Sequence, residues 1–139
     1  MNIKTNRKRA SSRNKTNKET TNDLSYALNA AKAASEKKAE NILLLDTSKL
    51  TIIADYFLIV SANSTPQIEA IAKYIEESLS KEKLRLVSKE GISTSNGTVL
   101  DFGNLIVHIM NDKERQFYRL EKFWSNATII NNKLWEKAS

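Results

Sequence analysis

Three aspartates, Asp46, Asp55 and Asp101, each border an apolar run. Carboxylates that converge on one edge of a sheet can hold magnesium ions that clamp a phosphoryl oxygen, which is the chemistry of a nucleotidyltransferase. Enzymes of that kind present a Gly-Ser element followed by paired aspartates on one strand, and the chain contains no Asp-x-Asp. The competing reading of such residues is a turn or cap aspartate that holds its own backbone. Asp101-Phe102-Gly103 matches the magnesium-binding triplet of kinases, but the Gly-rich loop, strand lysine and catalytic loop are missing, so it reads as a hairpin turn. Three glycines in all leave no room for a P-loop or a dinucleotide fingerprint. His108 alternates with branched residues in Leu105 to Met110, and no serine or cysteine in a nucleophile context accompanies it. It is expected to be a hydrogen-bonded structural residue. With no cysteine and one histidine, neither a thiolate site nor ordinary zinc ligation is available. No metal and no cofactor are expected.

The elements that would position these residues follow from periodicity. A first helix is predicted over about 23–39, with Asn22 or Asp23 as its cap and Leu24, Ala27, Leu28, Ala31 and Ala34 on one thin face. Ile42 to Asp46 and Asp55 to Ser61 read as strands buried on both sides, joined through a turn over 50–54. Ser64 and Gln67 form a capping box around Pro66, and Ile68, Ile71, Ala72, Ile75 and Leu79 then make a helical stripe. A third strand is predicted to start with Leu84 to Val87, followed by a loop from Gly91 to Gly97. A tight turn at 101–104 joins strands four and five, and a last helix opens with Asn111 and Glu114. The order α-β-β-α-β-β-β-α gives an α/β domain with a mixed five-stranded sheet and flanking helices. The short turn near Gly103 makes strands four and five antiparallel.

The net charge of +6 is unevenly placed, since residues 1–23 hold seven basic and two acidic side chains. The domain is nearly neutral and the basic character belongs to the tail. Residues 1–22 are expected to be a disordered basic tail, 23–127 the domain, and 128–139 a C-terminal extension. The tail has two readings, a phosphate-seeking arm near RNA and a solubilising extension. No apolar run approaches the roughly 18 residues of a membrane span, and the polar start has no secretory core, so the cytosol is the expected compartment.

On the last helix, Phe117, Leu120 and Trp124 share a core-facing stripe, while Tyr118, Glu121 and Ser125 lie on a neighbouring face. An exposed tyrosine beside a carboxylate is a common interface pairing, and a helix-boundary tyrosine that only packs is the alternative.

Leu45-Asp46, Ala54 to Phe57, Ser64 to Gln67 running into Ala70 to Ala72, Glu90-Gly91, Leu100 to Gly103, Ile106 to His108 and Tyr118 to Trp124 occur in an order and spacing that resembles the ribosomal silencing factor family, RsfS or Iojap. The likeness covers roughly residues 24–127. It implies a fold shaped like that of nucleotidyltransferases, without enzymatic activity or a cofactor. It further implies binding to protein number fourteen on the intersubunit face of the large ribosomal subunit. Occupying that face blocks subunit joining and represses translation, with a second role in large-subunit assembly. Some members self-associate, so a homodimer is among the implied partners. The positions carried over as partner-binding are Glu90, Gly97, Asp101, Asn104, Tyr118 and Glu121. Two of them depart from the family pattern: Gly97 stands where tryptophan is usual, and Asn104 where Asp follows the turn glycine.

Overall fold

Short apolar runs bounded by polar residues pair as strands, and longer runs with apolar residues three and four apart coil into helices that bury one stripe. The computed structural model describes residues 16–92, 97–118 and 125–136. In chain order the elements are α1 (Thr16–Glu36), β1 (Glu40–Asp46), β2 (Tyr56–Ser61), α2 (Thr65–Ser80), β3 (Ser88–Ile92), β4 (Gly97–Asp101), β5 (Leu105–Met110), α3 (Asp112–Tyr118), β6 (Thr128–Ile129) and α4 (Lys133–Glu136).

The strands form one sheet in the order β3-β4-β5-β2-β1-β6. Only β2 and β5 run parallel; the other neighbours are antiparallel. The sheet is mixed, with β4 and β5 antiparallel, as the turn at Gly103 predicts. It has six strands among the described residues rather than five. The extra strand is two residues long, Leu45 pairing with Ile129 and Asp46 with Thr128, too short to show any alternation in sequence.

Both sheet faces are covered, which is why every residue of β2 is buried. On one side the alanine face of α1 (Ala27, Ala30, Ala31, Ala33, Ala34) and the α2 stripe (Ile68, Ile71, Ala72, Ile75, Leu79) pack on Leu44, Leu58, Val60, Leu100, Val107 and Ile109. Small alanine side chains let the helix backbone approach closely, and each large aliphatic residue buried contributes about 1.5–3 kcal/mol. On the other side Leu45, Ala54, Phe57 and Ile59 form a second cluster with Leu43, Ile106 and Ala127.

Three boundaries differ from the sequence expectation. Helix α1 begins at Thr16, reaching into the segment expected to be tail, because a helix anchored by its buried alanines propagates at one bond per added residue. Residues 1–15 lie outside the described set. The third strand occupies 88–92 instead of starting at Leu84, because Leu84 is used to terminate α2: its N–H donates to the Leu79 carbonyl while Lys83 takes φ +67°. Glu90 and Gly91 are therefore strand residues. At the C-terminus, the stretch expected as an extension supplies β6 and puts Trp135 of α4 into the core beside α1.

Candidate partner-binding surface

Strand alternation decides which residues share a face. In β4 and β5 the pairs Asp101–Ile106, Val99–His108 and Gly97–Met110 point away from α1 and α2. Glu90, paired with Val99 on the exposed edge strand β3, points the same way. Asp101 sits at one end of β4 and Gly97 at the other, four strand steps or roughly 13 Å apart. Gly97 instead borders a cleft of about 520 Å³ between α2 and the β3–β4 ladder, with Lys73, Lys89, Gly91 and Thr98. Tyr118 closes α3, and Glu121 lies outside the described residues.

At the Asp101 end the chain draws carboxylates together. The 101–104 turn is tied by the Gly103 N–H donating to Asp101 Oδ1 at 2.8 Å and the Phe102 N–H donating to the Leu105 carbonyl at 2.9 Å. Gly103 has φ +96°, where side chains other than glycine's are strained. The Asn104 carbonyl accepts from the N–H groups of Asp55 and Tyr56, both at 3.0 Å, which locks the turn against the start of β2. Its side-chain amide donates to Asp23 Oδ2 on α1 at 3.0 Å. Asp46, at the end of β1, pairs across to Tyr56. The buried Tyr56 hydroxyl feels all of this: its pKa is pushed up to about 12 by burial, and then by Asp46, Asp55 and Asp23.

The three strand-end aspartates lie at one end of the sheet but do not meet: Asp46 and Asp55, joined by Asp23, surround Tyr56, whereas Asp101 is three strands from Asp46 and faces the other side of the sheet. They do not compose a metal site: among the described residues no three acidic or histidine side chains are grouped to hold an ion. Asp101 spends an oxygen on its own turn, and Asp46 Oδ1 accepts from the Ser48 N–H and hydroxyl at 2.9 and 2.7 Å. The turn and cap reading of these residues fits the geometry. Asn104 also becomes intelligible, since an aspartate there could not donate to Asp23 and would add a like charge.

His108 differs from the expectation. Its ring stacks on Phe57, with centroids 6.1 Å apart and planes at 19°, and its Nδ1 is buried with no hydrogen-bond partner among the described residues. Burial drives its pKa down to about 4, so the ring is neutral at pH 7.

Helix α3 is fixed by two devices. The Asn111 side chain caps it, accepting from the Glu114 N–H at 2.8 Å. Arg115, buried on the second sheet face, donates from Nη1 to the Ser61 hydroxyl at 2.9 Å and to the Asn41 carbonyl. Asn41 has φ +50° inside a register shift of β1, and that bulge turns its carbonyl toward the arginine. Sequence reasoning did not single out Arg115, and it named Asp23 only as a cap candidate.

Comparison with known proteins decides what this arrangement belongs to. The family model described as ribosomal silencing factor during starvation, RsfS, matches residues 6–139. The chain belongs to the ribosomal silencing factor family. It is 37% identical over 100 residues to the ribosomal silencing factor RsfS of Bacillus subtilis, covering 72% of this chain and 85% of that protein. A crystal structure of a Chromobacterium violaceum protein superposes with a TM-score of 0.70 at 27% identity, over 73% of this chain and 85% of the other. The mouse protein named for mitochondrial assembly of the ribosomal large subunit is 29% identical over 93 residues, 65% of this chain and 41% of that one. Among RsfS proteins, then, this one has an Asp101–Asn104 turn bonded to α1 and a glycine at position 97.

Proposed function

We propose that this protein binds protein number fourteen of the large ribosomal subunit and, by occupying the intersubunit face, prevents the small subunit from joining. The observation that carries the reading is the family match over residues 6–139. The name of the mouse relative points the same way, toward the large subunit. The geometry adds a chemical reason: Asp23, Asp46, Asp55 and Asp101 gather at one sheet end, a suitable counterpart for a basic ribosomal protein. The action is steric, uses no cofactor or catalysis, and takes place in the cytoplasm. A role in large-subunit assembly uses the same attachment. The basic N-terminal segment adds rRNA phosphate contact, and self-association to a homodimer is compatible with it.

Glu90, Asp101, Asn104, Tyr118 and Glu121 are the proposed contact residues, and Gly97 is the proposed contact position that lacks its aromatic anchor. The test is co-sedimentation with purified large subunits. The wild-type protein is expected to travel with them, and a triple variant carrying Asp101→Arg, Tyr118→Ala and Glu121→Arg is expected to stay at the top of the gradient while retaining its melting transition. Undiminished co-sedimentation of the folded triple variant places the contact elsewhere.

A further inference from the structure

The β1–β2 connection, residues 47–54, is built as a rigid loop whose tip is apolar. Thr47 at its base is buried, its hydroxyl donating to the Ala54 carbonyl and its N–H to the Asp55 carbonyl, both at 2.8 Å. The N–H groups of Leu50 and Thr51 return to the Thr47 carbonyl, and the Ile53 N–H donates to Thr51 Oγ1. This polar scaffold holds the loop without its large side chains. Leu50, Ile52 and Ile53 are 45%, 64% and 58% exposed and belong to neither core cluster. Single exposed aliphatic residues are ordinary, but three within four residues on a pre-ordered loop form a patch that loses little entropy on binding.

The surroundings select the occupant. Hydrogen bonds from Asp55 and Tyr56 to Asn104 join the loop to the 101–104 turn, and the base of the loop at Tyr56 is surrounded by Asp46, Asp55 and Asp23. Lys49 is the one basic residue within the loop. An RNA backbone or an anionic bilayer meets like charge here, and a second copy docking through the same end opposes its own carboxylates. A cationic protein surface bearing apolar side chains meets complementary charge.

We propose that loop 47–54 is a docking surface for a basic protein of the large ribosomal subunit, with Leu50, Ile52 and Ile53 as its apolar anchors beside the carboxylates gathered around Tyr56 at its base. The inference rests on the large-subunit reading above and deepens it.

The experiment compares the wild type with an Ile52→Ser, Ile53→Ser variant for binding to purified large subunits, with thermal melting and sedimentation velocity alongside. The variant is expected to bind at least about tenfold more weakly with an unchanged melting temperature. If serine lowers the melting temperature, the Ile52→Thr, Ile53→Thr pair keeps the branched shape and is expected to weaken binding in the same direction. Wild-type attachment with equal attachment of the folded variants overturns the inference and leaves the large-subunit reading standing. Failure of the wild type to attach overturns both. Loss of self-association with subunit binding intact assigns the patch to a second copy and overturns the proposal.

Discussion

Acidification from pH 7.5 to 4.5 perturbs one group in a way that can be isolated, because His108 is the only histidine in the chain. Its pKa is lowered by burial to about 4 in the folded protein, against 6.5 when unfolded. A lowered folded pKa means the unfolded chain binds the proton first. The stabilisation is fully present above pH 6.5, is lost progressively as pH falls toward 4, and changes no further below that. The gap between the two values corresponds to about 3 kcal/mol in all, of which about 2 kcal/mol is gone by pH 5. His108→Leu removes the titration, the stacked imidazole and the buried Nδ1, and should leave stability at pH 7.5 within about 1 kcal/mol of wild type. Urea unfolding of both proteins at half-unit pH steps then isolates the histidine, since the carboxylates are common to both. Wild-type stability should fall relative to the variant by about 2 kcal/mol between pH 7.5 and 5. The imidazole proton resonance should titrate near 4 in the folded protein. A folded imidazole titrating near 6.5, or stability curves that stay parallel down to pH 5, would refute the reasoning.

Other outcomes follow from local geometry. Arg115→Ala strands the buried Ser61 hydroxyl and the Asn41 carbonyl and opens a void, so chemical denaturation should show a loss of about 2–4 kcal/mol. Lys38 and Lys83 hold φ +67° just past the ends of α1 and α2, positions that glycine fills without strain. Lys38→Gly and Lys83→Gly should each stabilise the fold by up to about 1 kcal/mol, read as a rise in the denaturation midpoint.

What was legible in the sequence is what chain neighbours decide. Ser64 and Gln67 do cap α2: Ser64 Oγ accepts the Gln67 N–H at 3.2 Å, and the Gln67 side chain accepts from Asn63 at 2.6 Å, one residue before the capping position. The isoleucine stripe of α2, the Asn111 cap and the Asp101–Gly103 turn are local in the same sense. The acidic strand end was partly visible, because Asp46, Asp55 and Asp101 all border strands. Asp23 was not, since it reaches Asn104 across 81 residues of chain. Neither Arg115 at the β1 bulge nor the pairing of β6 with β1 leaves a periodic signal. The hydrogen bond expected for His108 failed because alternation told which face it occupies, while its partners depend on what packs over that face. Loop 47–54 read as a plain connection, and its apolar tip acquires meaning only once Asn104 fastens it to the acidic turn.

Subunit joining measured directly, by light scattering of purified small and large ribosomal subunits mixed with and without the protein, tests the central claim. The account predicts that stoichiometric protein lowers the yield of joined ribosomes while remaining on the large subunit. Normal joining on large subunits that carry the protein would contradict it.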